Sequence, residues 1–479
     1  MSTARVPGRP VEAFSVAEKA GEWLLVLSVE GAPPDEIRHL SALPPGQAAG
    51  TGEMPRRLAG FVVPGEVFAV DVGDFDPAPG LEALLITPRE LRVLRLIDGT
   101  PLRQIVLRPP LPLPRRTRQL SRLEAVRDWE GEGRLSALVP TWNGALLVPL
   151  DDRPPRLLPL PVLSEYETMS PARPIYEGYA TARFVWPEIV RTDDNGDGIP
   201  DLFASNRFDL WVFHAGPPGL GNQPTRRARF RPFSFNDERR HETHRLRAFI
   251  EDLDSDGHAE VVEHRSVGTL LESRTTTRIY SGSAEPGGAD PSGPPIAEFT
   301  NDGGFGAIEV FDLDGDGRKE IFEIVVPFGI LQLARVLTTR RVSADLRVLH
   351  FPEETLGQPV ESWATTLRVP LDFSTQRVQG LLPDLRGDWN GDGRHDLIHG
   401  DGPDAVQIRL GQVGDSGPGF GPPVARQPLP FSDLALIADL DGDGLDDLVT
   451  YDTLDLEGRV YIAINQGRLP GTRPVMRSR

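Results

Sequence analysis

The chain contains no cysteine, which excludes disulfides, thiol nucleophiles and cysteine-bearing metal centres. Lysine is nearly absent too: Lys19 and Lys319 stand alone, and every other cationic side chain is an arginine or a histidine. Basic charge is in deficit, with 51 Lys and Arg against 70 Asp and Glu and a formal charge of −19. A phosphate backbone needs clustered cations, so no nucleic-acid partner is expected. No apolar run approaches the roughly 18–20 residues that a spanning helix requires, so no membrane span is expected. Met1 to Val16 carries Pro7, Pro10 and Glu12 and shows no apolar signal-peptide core. Neither a G-x-S-x-G elbow, a P-loop nor a Rossmann glycine pattern is present.

What the chain does have is turn residues and repeats. Its 49 Gly and 47 Pro make about a fifth of the 479 residues, a balance that favours many short strands over long helices. Five nine-residue segments of the form D-x-[DN]-x-D-G-x-x-[DE] align without gaps, starting at Asp193, Asp252, Asp312, Asp388 and Asp439. Two weaker copies precede them. One runs from Asp74 through Asp76 and Gly80 to Glu82, with Ala78 at the fifth position; the other runs from Asp128 through Glu130, Glu132 and Gly133 to Ser136. The seven start points are separated by 54, 65, 59, 60, 76 and 51 residues. A period near 60 accommodates about four strands of five or six residues with their turns.

Short apolar, β-prone runs flank the loops, such as Ala307-Ile308-Glu309-Val310-Phe311 before one and Leu448-Val449 after another. The fold class expected is all-β: a seven-bladed β-propeller of four-stranded antiparallel blades, with strands from both termini closing the last blade. Residues 1–19 are expected to form an N-terminal extension and 20–479 a single propeller domain. Within it, residues 20–48 complete the blade begun at Asp439; the alternative is that they form an eighth blade without a loop.

The loop pattern points to calcium, a hard cation that takes six to eight oxygens in flexible geometry. Oxygens at positions one, three and five of a tight turn converge, glycine at six permits the bend, the seventh carbonyl faces inward and the ninth carboxylate closes the shell. The expected ligand sets are Asp193, Asn195, Asp197, Ile199 and Asp201; Asp252, Asp254, Asp256, His258 and Glu260; Asp312, Asp314, Asp316, Arg318 and Glu320; Asp388, Asn390, Asp392, Arg394 and Asp396; and Asp439, Asp441, Asp443, Leu445 and Asp447. In each set the seventh-position residue contributes its backbone carbonyl. The sets hold 18 carboxylates, whose mutual repulsion a cation relieves; five Ca²⁺ take the formal charge from −19 to −9. No cysteine or histidine stands at a side-chain ligand position, which disfavours zinc, copper and iron. An EF-hand loop would close with an acid at position twelve and continue into a helix, whereas here the acid is ninth and β-branched or aromatic residues follow. The first weak copy is expected to bind calcium poorly or not at all.

These loops, with Gly304-Phe305-Gly306-Ala307 just before Asp312, resemble the FG-GAP/VCBS repeat family, which includes the head propeller of integrin α subunits. The likeness spans about residues 66–465. It implies a seven-bladed propeller, calcium between the first and second strands of a blade, and ligands met on the opposite face. The function expected is a non-catalytic extracellular binding or adhesion scaffold stabilised by about five Ca²⁺. Its partner is expected to be a protein or glycan, and its location extracellular, periplasmic or at the cell surface, where calcium is abundant. A carbohydrate-active enzyme of polysaccharide-lyase type, or a lectin, is the alternative. Its candidate material is Trp211, Phe230, Phe233 and Phe235 interleaved with Arg226, Arg227, Arg229 and Arg231. The pair His241 and His244 is spaced i, i+3 and does not match a helical zinc motif. His258 and His395, inside calcium loops, are expected to face solvent.

Overall fold

A computed structural model describes residues 2–470 except 19–20, 32–34, 48–55, 113–119, 170–178, 217–218, 232–242, 269–272, 283–287, 328–329, 353–355, 373–376, 430–433 and positions 78, 109, 303, 379 and 403. The chain is all-β, and one helix, Ile330–Thr339, occurs among the described residues. The strands take a β-propeller arrangement of eight blades, each a sheet of four or five strands.

In chain order, blade 1 comprises Arg9–Glu18, Gly21–Glu30, Ile37–Leu43 and Ala59–Val63. Blade 2 comprises Ala69–Gly73, Glu82–Ile86, Glu90–Arg95 and Pro101–Val106, with Ser121–Arg122 added in parallel. Blade 3 is built from Val126–Arg127, Ser136–Thr141, Gly144–Pro149 and Arg156–Pro159; blade 4 from Glu188–Thr192, Asp201–Ser205, Asp209–Phe213 and Arg226–Arg229. Blade 5 is built from Thr243–Glu251, Glu260–Gly268, Ser273–Tyr280 and Ala297–Asp302. Blade 6, whose loop follows Gly304–Phe311, continues through Glu320–Pro327, Arg341–His350, Val360–Asp372 and Arg377–Val378. Blade 7 comprises Asp384–Gly387, Asp396–Gly400, Ala405–Gly414 and Gly417–Pro428. Blade 8 comprises Leu434–Ala438, Asp447–Tyr451, Arg459–Ala463 and, from the other end of the chain, Ser2–Arg5.

Seven blades are therefore corrected to eight. The loops count seven because blade 1 joins its first two strands by the short connection between Glu18 and Gly21, with no room for a nine-residue loop. Residues 20–48 belong to this blade and do not complete the last one. Closure by both termini is observed, but the N-terminal partner is Ser2–Arg5, antiparallel to Arg459–Ala463 with Ser2 opposite Ile462 and Arg5 opposite Arg459. Residues 1–19 are not an extension, since their strands bury Ala4 and Phe14.

Two compact units emerge. One holds Met1–Glu124, Phe311–Pro352 and Val360–Arg479; the other holds Ala125–Val310 and Glu353–Pro359. In both, second strands are buried along their whole length: Glu82–Ile86, Asp201–Ser205 and Asp447–Tyr451 have no exposed residue. A strand covered on both faces reads as a continuous apolar run, not as an alternation. Leu24, Leu25, Val26 and Leu27 are fully buried in sequence, each contributing about 1.5–3 kcal/mol. Edge strands such as Pro101–Val106 alternate with exposed residues instead. The well-packed second strands thus fix the ends of the loops that precede them.

Candidate metal centres

Each intact loop connects the first and second strands of a blade and is held by the same backbone contacts. The first-position carboxylate accepts from the sixth-position N–H: Asp193 from Gly198 at 2.7 Å, Asp252 from Gly257 at 3.0 Å, Asp312 from Gly317 at 3.0 Å, Asp388 from Gly393 at 2.8 Å and Asp439 from Gly444 at 2.9 Å. The fifth-position carboxylate accepts from the seventh N–H in all five, at 2.8–3.0 Å. Glycine at position six has φ between +79° and +93°, and position four is left-handed as well. There Gly196, Gly315, Gly391 and Gly442 fit without cost, whereas Ser255, at φ 61°, carries a Cβ into the same conformation.

The ninth-position carboxylate is the brace. One oxygen accepts from the second-position N–H: Asp201 from Asp194, Glu260 from Leu253, Glu320 from Leu313, Asp396 from Trp389 and Asp447 from Leu440, at 2.8–3.0 Å. In four loops the other oxygen accepts, at 2.7 Å, from an N–H after or late in the third strand: Ala215, Gly282, Gly411 and Asn465. Burial pushes these carboxyls up, and neighbouring loop carboxylates push the same way against the backbone donors. Glu260, Glu320 and Asp447 reach about 8 and Asp396 about 7, while Asp201 is raised. Groups so disfavoured as anions gain from a cation at the centre of the loop.

Three loops bring oxygens together. One carboxylate oxygen each from Asp252, Asp254 and Glu260 lie within 4.8 Å of one another, as do those of Asp312, Asp314 and Asp316 and those of Asp439, Asp441 and Asp447. Asp252 Oδ1 is buried and has no hydrogen-bond partner, an atom that a cation would satisfy. All-oxygen donor sets of this kind fit calcium. The residues present fit the ion.

The other two loops, with Asn at position three, differ. No trio of their expected carboxylates converges this closely among the described residues. In blade 4 the convergent group is Asp194, Asp201 and His214. Asp194 Oδ2 lies 3.0 Å from His214 Nε2, and Asp194 Oδ1 accepts from Arg226 at 2.5 Å. The motif does not include Asp194 or His214, since one occupies a position with no fixed residue type and the other follows the third strand. In blade 7 the Asn390 amide donates to Asp392 Oδ2 at 3.1 Å.

The weak copies keep the frame and depart from the ligand set. In blade 2, Glu82 Oε2 accepts from Phe75 and Asp76 at 2.7 and 3.1 Å; Ala78 lies outside the described residues. In blade 3, Asp128 accepts from Gly133 at 2.7 Å, but Glu130 pairs with Arg153 at 3.1 Å and Arg156 at 2.9 Å. Glu132 also lies 3.4 Å from Arg153. Guanidinium groups stand there in place of a metal ion.

Adjacent loops within a unit are stitched together. The first-position carbonyl accepts from the eighth-position N–H of the next loop: Asp193 from Ala259 at 3.1 Å and Asp388 from Asp446 at 3.5 Å. Asp439 accepts instead from Glu22 of blade 1 at 2.9 Å, where no loop exists. His258 is not simply solvated: its Nδ1 lies 3.2 Å from the Asp194 carbonyl. His395 packs on Phe311, ring centroids 5.2 Å apart.

Several described residues of the aromatic and arginine segment make contacts within the fold. Phe230 is buried in the core, Arg226 is engaged with Asp194 and the Ala289 carbonyl, and Arg227 stacks 4.2 Å over Trp211. Phe233, Phe235 and His241 lie outside the described residues.

No protein-family model matches the chain. No curated protein matches it either. Among solved structures it is similar to the V. cholerae biofilm matrix protein Bap1, with 12% identity, a TM-score of 0.41 and coverage of 97% of this chain and 89% of that one. It is also similar to an Agrocybe aegerita lectin that recognises non-reducing terminal N-acetylglucosamine, with 12% identity, a TM-score of 0.38 and coverage of 97% and 99%. A third is the rhamnogalacturonan lyase YesW, with 14% identity, a TM-score of 0.35 and coverage of 98% and 69%. No helix among the described residues is long and apolar enough to cross a membrane. None of these likenesses is close enough to carry an argument about function.

Proposed function

We propose that the chain is a calcium-stabilised β-propeller of FG-GAP/VCBS type that acts as a non-catalytic binding or adhesion scaffold outside the cytoplasm. The observation that carries this reading is one hydrogen-bonded loop built five times, which in blades 5, 6 and 8 gathers three acidic oxygens within 4.8 Å. Asp193, Asn195, Asp197, Asp388, Asn390 and Asp392 supply the equivalent oxygens in blades 4 and 7, and the seventh carbonyls and ninth carboxylates complete each shell. Calcium bound there would tie the first strand of a blade to its second, and through the ninth carboxylate to its third. Such sites fill where calcium is millimolar, which supports an exported location. A role as a scaffold is the reading because the loops tie neighbouring strands of a blade together.

A carbohydrate-directed role on the same scaffold is the second reading, favoured by a cavity between the loop-distal end of blade 4 and the middle of the first strand of blade 5. The test is a thermal melt in calcium and then in chelator. A site held at about a hundred times its dissociation constant adds ~2.7 kcal/mol, so several such sites raise the melting temperature by many degrees. An unchanged melting temperature would sink the proposal.

A further inference from the structure

Blades 4 and 5 border a cavity of about 280 Å³. Its wall includes Glu188 and Arg247, each four residues before the end of the strand that enters its metal loop. At ~3.3 Å per residue both stand roughly 13 Å from the loops. Ser205, paired with Glu188, and the turn residues Asn206 and Arg207 line the same end. A hairpin of Leu163–Met169 and Tyr179–Val185 contributes its base, and Trp186 follows it directly.

The wall is pre-arranged. Trp186 Nε1 donates to the Gly144 carbonyl at 3.2 Å, which satisfies the indole N–H and fixes the ring. Gly144 follows the turn that carries Trp142, which is 52% exposed and edge-on to Phe184 with centroids 4.1 Å apart. Asn206 is a positioning residue: its Oδ1 accepts from the N–H groups of Phe208 and Asp209 at 2.7 and 2.9 Å, and its amide donates to the Pro161 carbonyl. That holds the turn presenting Arg207. The guanidinium groups of Arg207 and Arg247 lie 4.7 and 4.6 Å over the rings of Phe208 and Phe249. The wall thus carries two guanidinium groups, of Arg207 and Arg247, and the carboxylate of Glu188.

We infer that this cavity binds one anionic sugar unit of a polysaccharide. The inference rests on the scaffold reading and gives it a ligand class. Indole faces take the apolar C–H face of a pyranose. Guanidinium forks match the planar oxygens of a carboxylate, or those of a sulfate. The Glu188 carboxylate accepts from sugar hydroxyls. The volume lies near the lower end of the range of ligand pockets, which suits a single ring. An acidic peptide side chain would use the arginines and leave the indole face and Glu188 idle.

The test is calorimetric titration of the full chain in calcium with a uronate trisaccharide, a sulfated neutral trisaccharide, the plain neutral trisaccharide and a glutamate-rich peptide. At least one anionic saccharide is expected to bind about tenfold or more tighter than the neutral one, and the better of the two names the source of the charge. Arg247→Gln and Arg207→Gln should each weaken that binding by about fivefold or more, with the calcium-dependent melting temperature unchanged. Equal affinity for the neutral sugar, binding of the peptide alone, unaltered affinity in both variants, or no binding at all overturns the inference. If the melt still responds to calcium in those cases, the scaffold reading stands. A melt that ignores chelator overturns that reading instead.

Discussion

The loops of blades 3 and 5 lie in one compact unit, share one turn and differ in what neutralises them. In blade 3, Glu130 and Glu132 face Arg153 and Arg156, and the protein supplies its own counter-charge. In blade 5, Asp252, Asp254 and Glu260 converge, with Asp252 Oδ1 buried and unsatisfied. The turn therefore survives loss of the metal role if a guanidinium takes the cation's place. Charge balance is the constraint on these loops, and on the proposed reading a bound calcium ion is one way to meet it. Blade 4 stands between the two, since Arg226 and His214 engage Asp194 beside an otherwise intact motif.

The largest expected effect separates brace from ligand. Glu260→Ala removes the acceptor for Leu253 and Gly282 N–H groups, leaving two buried donors unpaired at about 1–3 kcal/mol each. Chemical denaturation should show this loss in chelator as well as in calcium; a loss confined to calcium would mean that Glu260 acts only as a ligand. Next, Asp314→Ala with Asp316→Ala should lower the bound calcium count by one while hardly changing stability in chelator. An unchanged count would strike the blade 6 loop from the list.

Blade 3 gives the converse. Arg153→Ala with Arg156→Ala should destabilise the chelated protein by about 1–3 kcal/mol by leaving Glu130, largely buried, without a partner. Added calcium should recover part of that loss, as judged by the melting temperature. No response to calcium there would show that Ser136, at the ninth position, has ended metal binding in that loop.

Acid dependence sharpens the contrast further. Folded-state values of about 8 for Glu260, Glu320 and Asp447 and about 7 for Asp396 lie above the ordinary carboxyl range. The protonated forms thus favour folding in acid, and that contribution is lost progressively as pH rises from about 4, the ordinary carboxyl range, to the folded values of 7 to 8. In chelator the melting temperature should fall across this range, and millimolar calcium should flatten the fall by favouring the ionised forms. A chelated protein with a flat profile would contradict the burial argument. The smallest effect is Ser255→Gly, which relieves a left-handed residue at φ 61° and should add up to about 1 kcal/mol.

The repeat and its β character were legible because the loop demands particular residues at fixed positions. The blade count was not, because blade 1 uses a short connection that leaves no motif, and Ser2–Arg5 pairs with Arg459–Ala463 across the whole chain. Position six was readable as glycine by its bend, whereas the same need at position four was masked by Ser255, which stands where the other four loops have glycine. The Arg153 and Arg156 counter-charges were invisible for a different reason. They lie more than twenty residues from Glu130, and only the sheet brings them to it.

The measurement that reaches the central claim most directly is the number of calcium ions per chain after equilibrium dialysis, read by elemental analysis. The account predicts five, one for each intact loop and none in blades 2 and 3. A count below three, fewer than the convergent clusters of blades 5, 6 and 8, would contradict it.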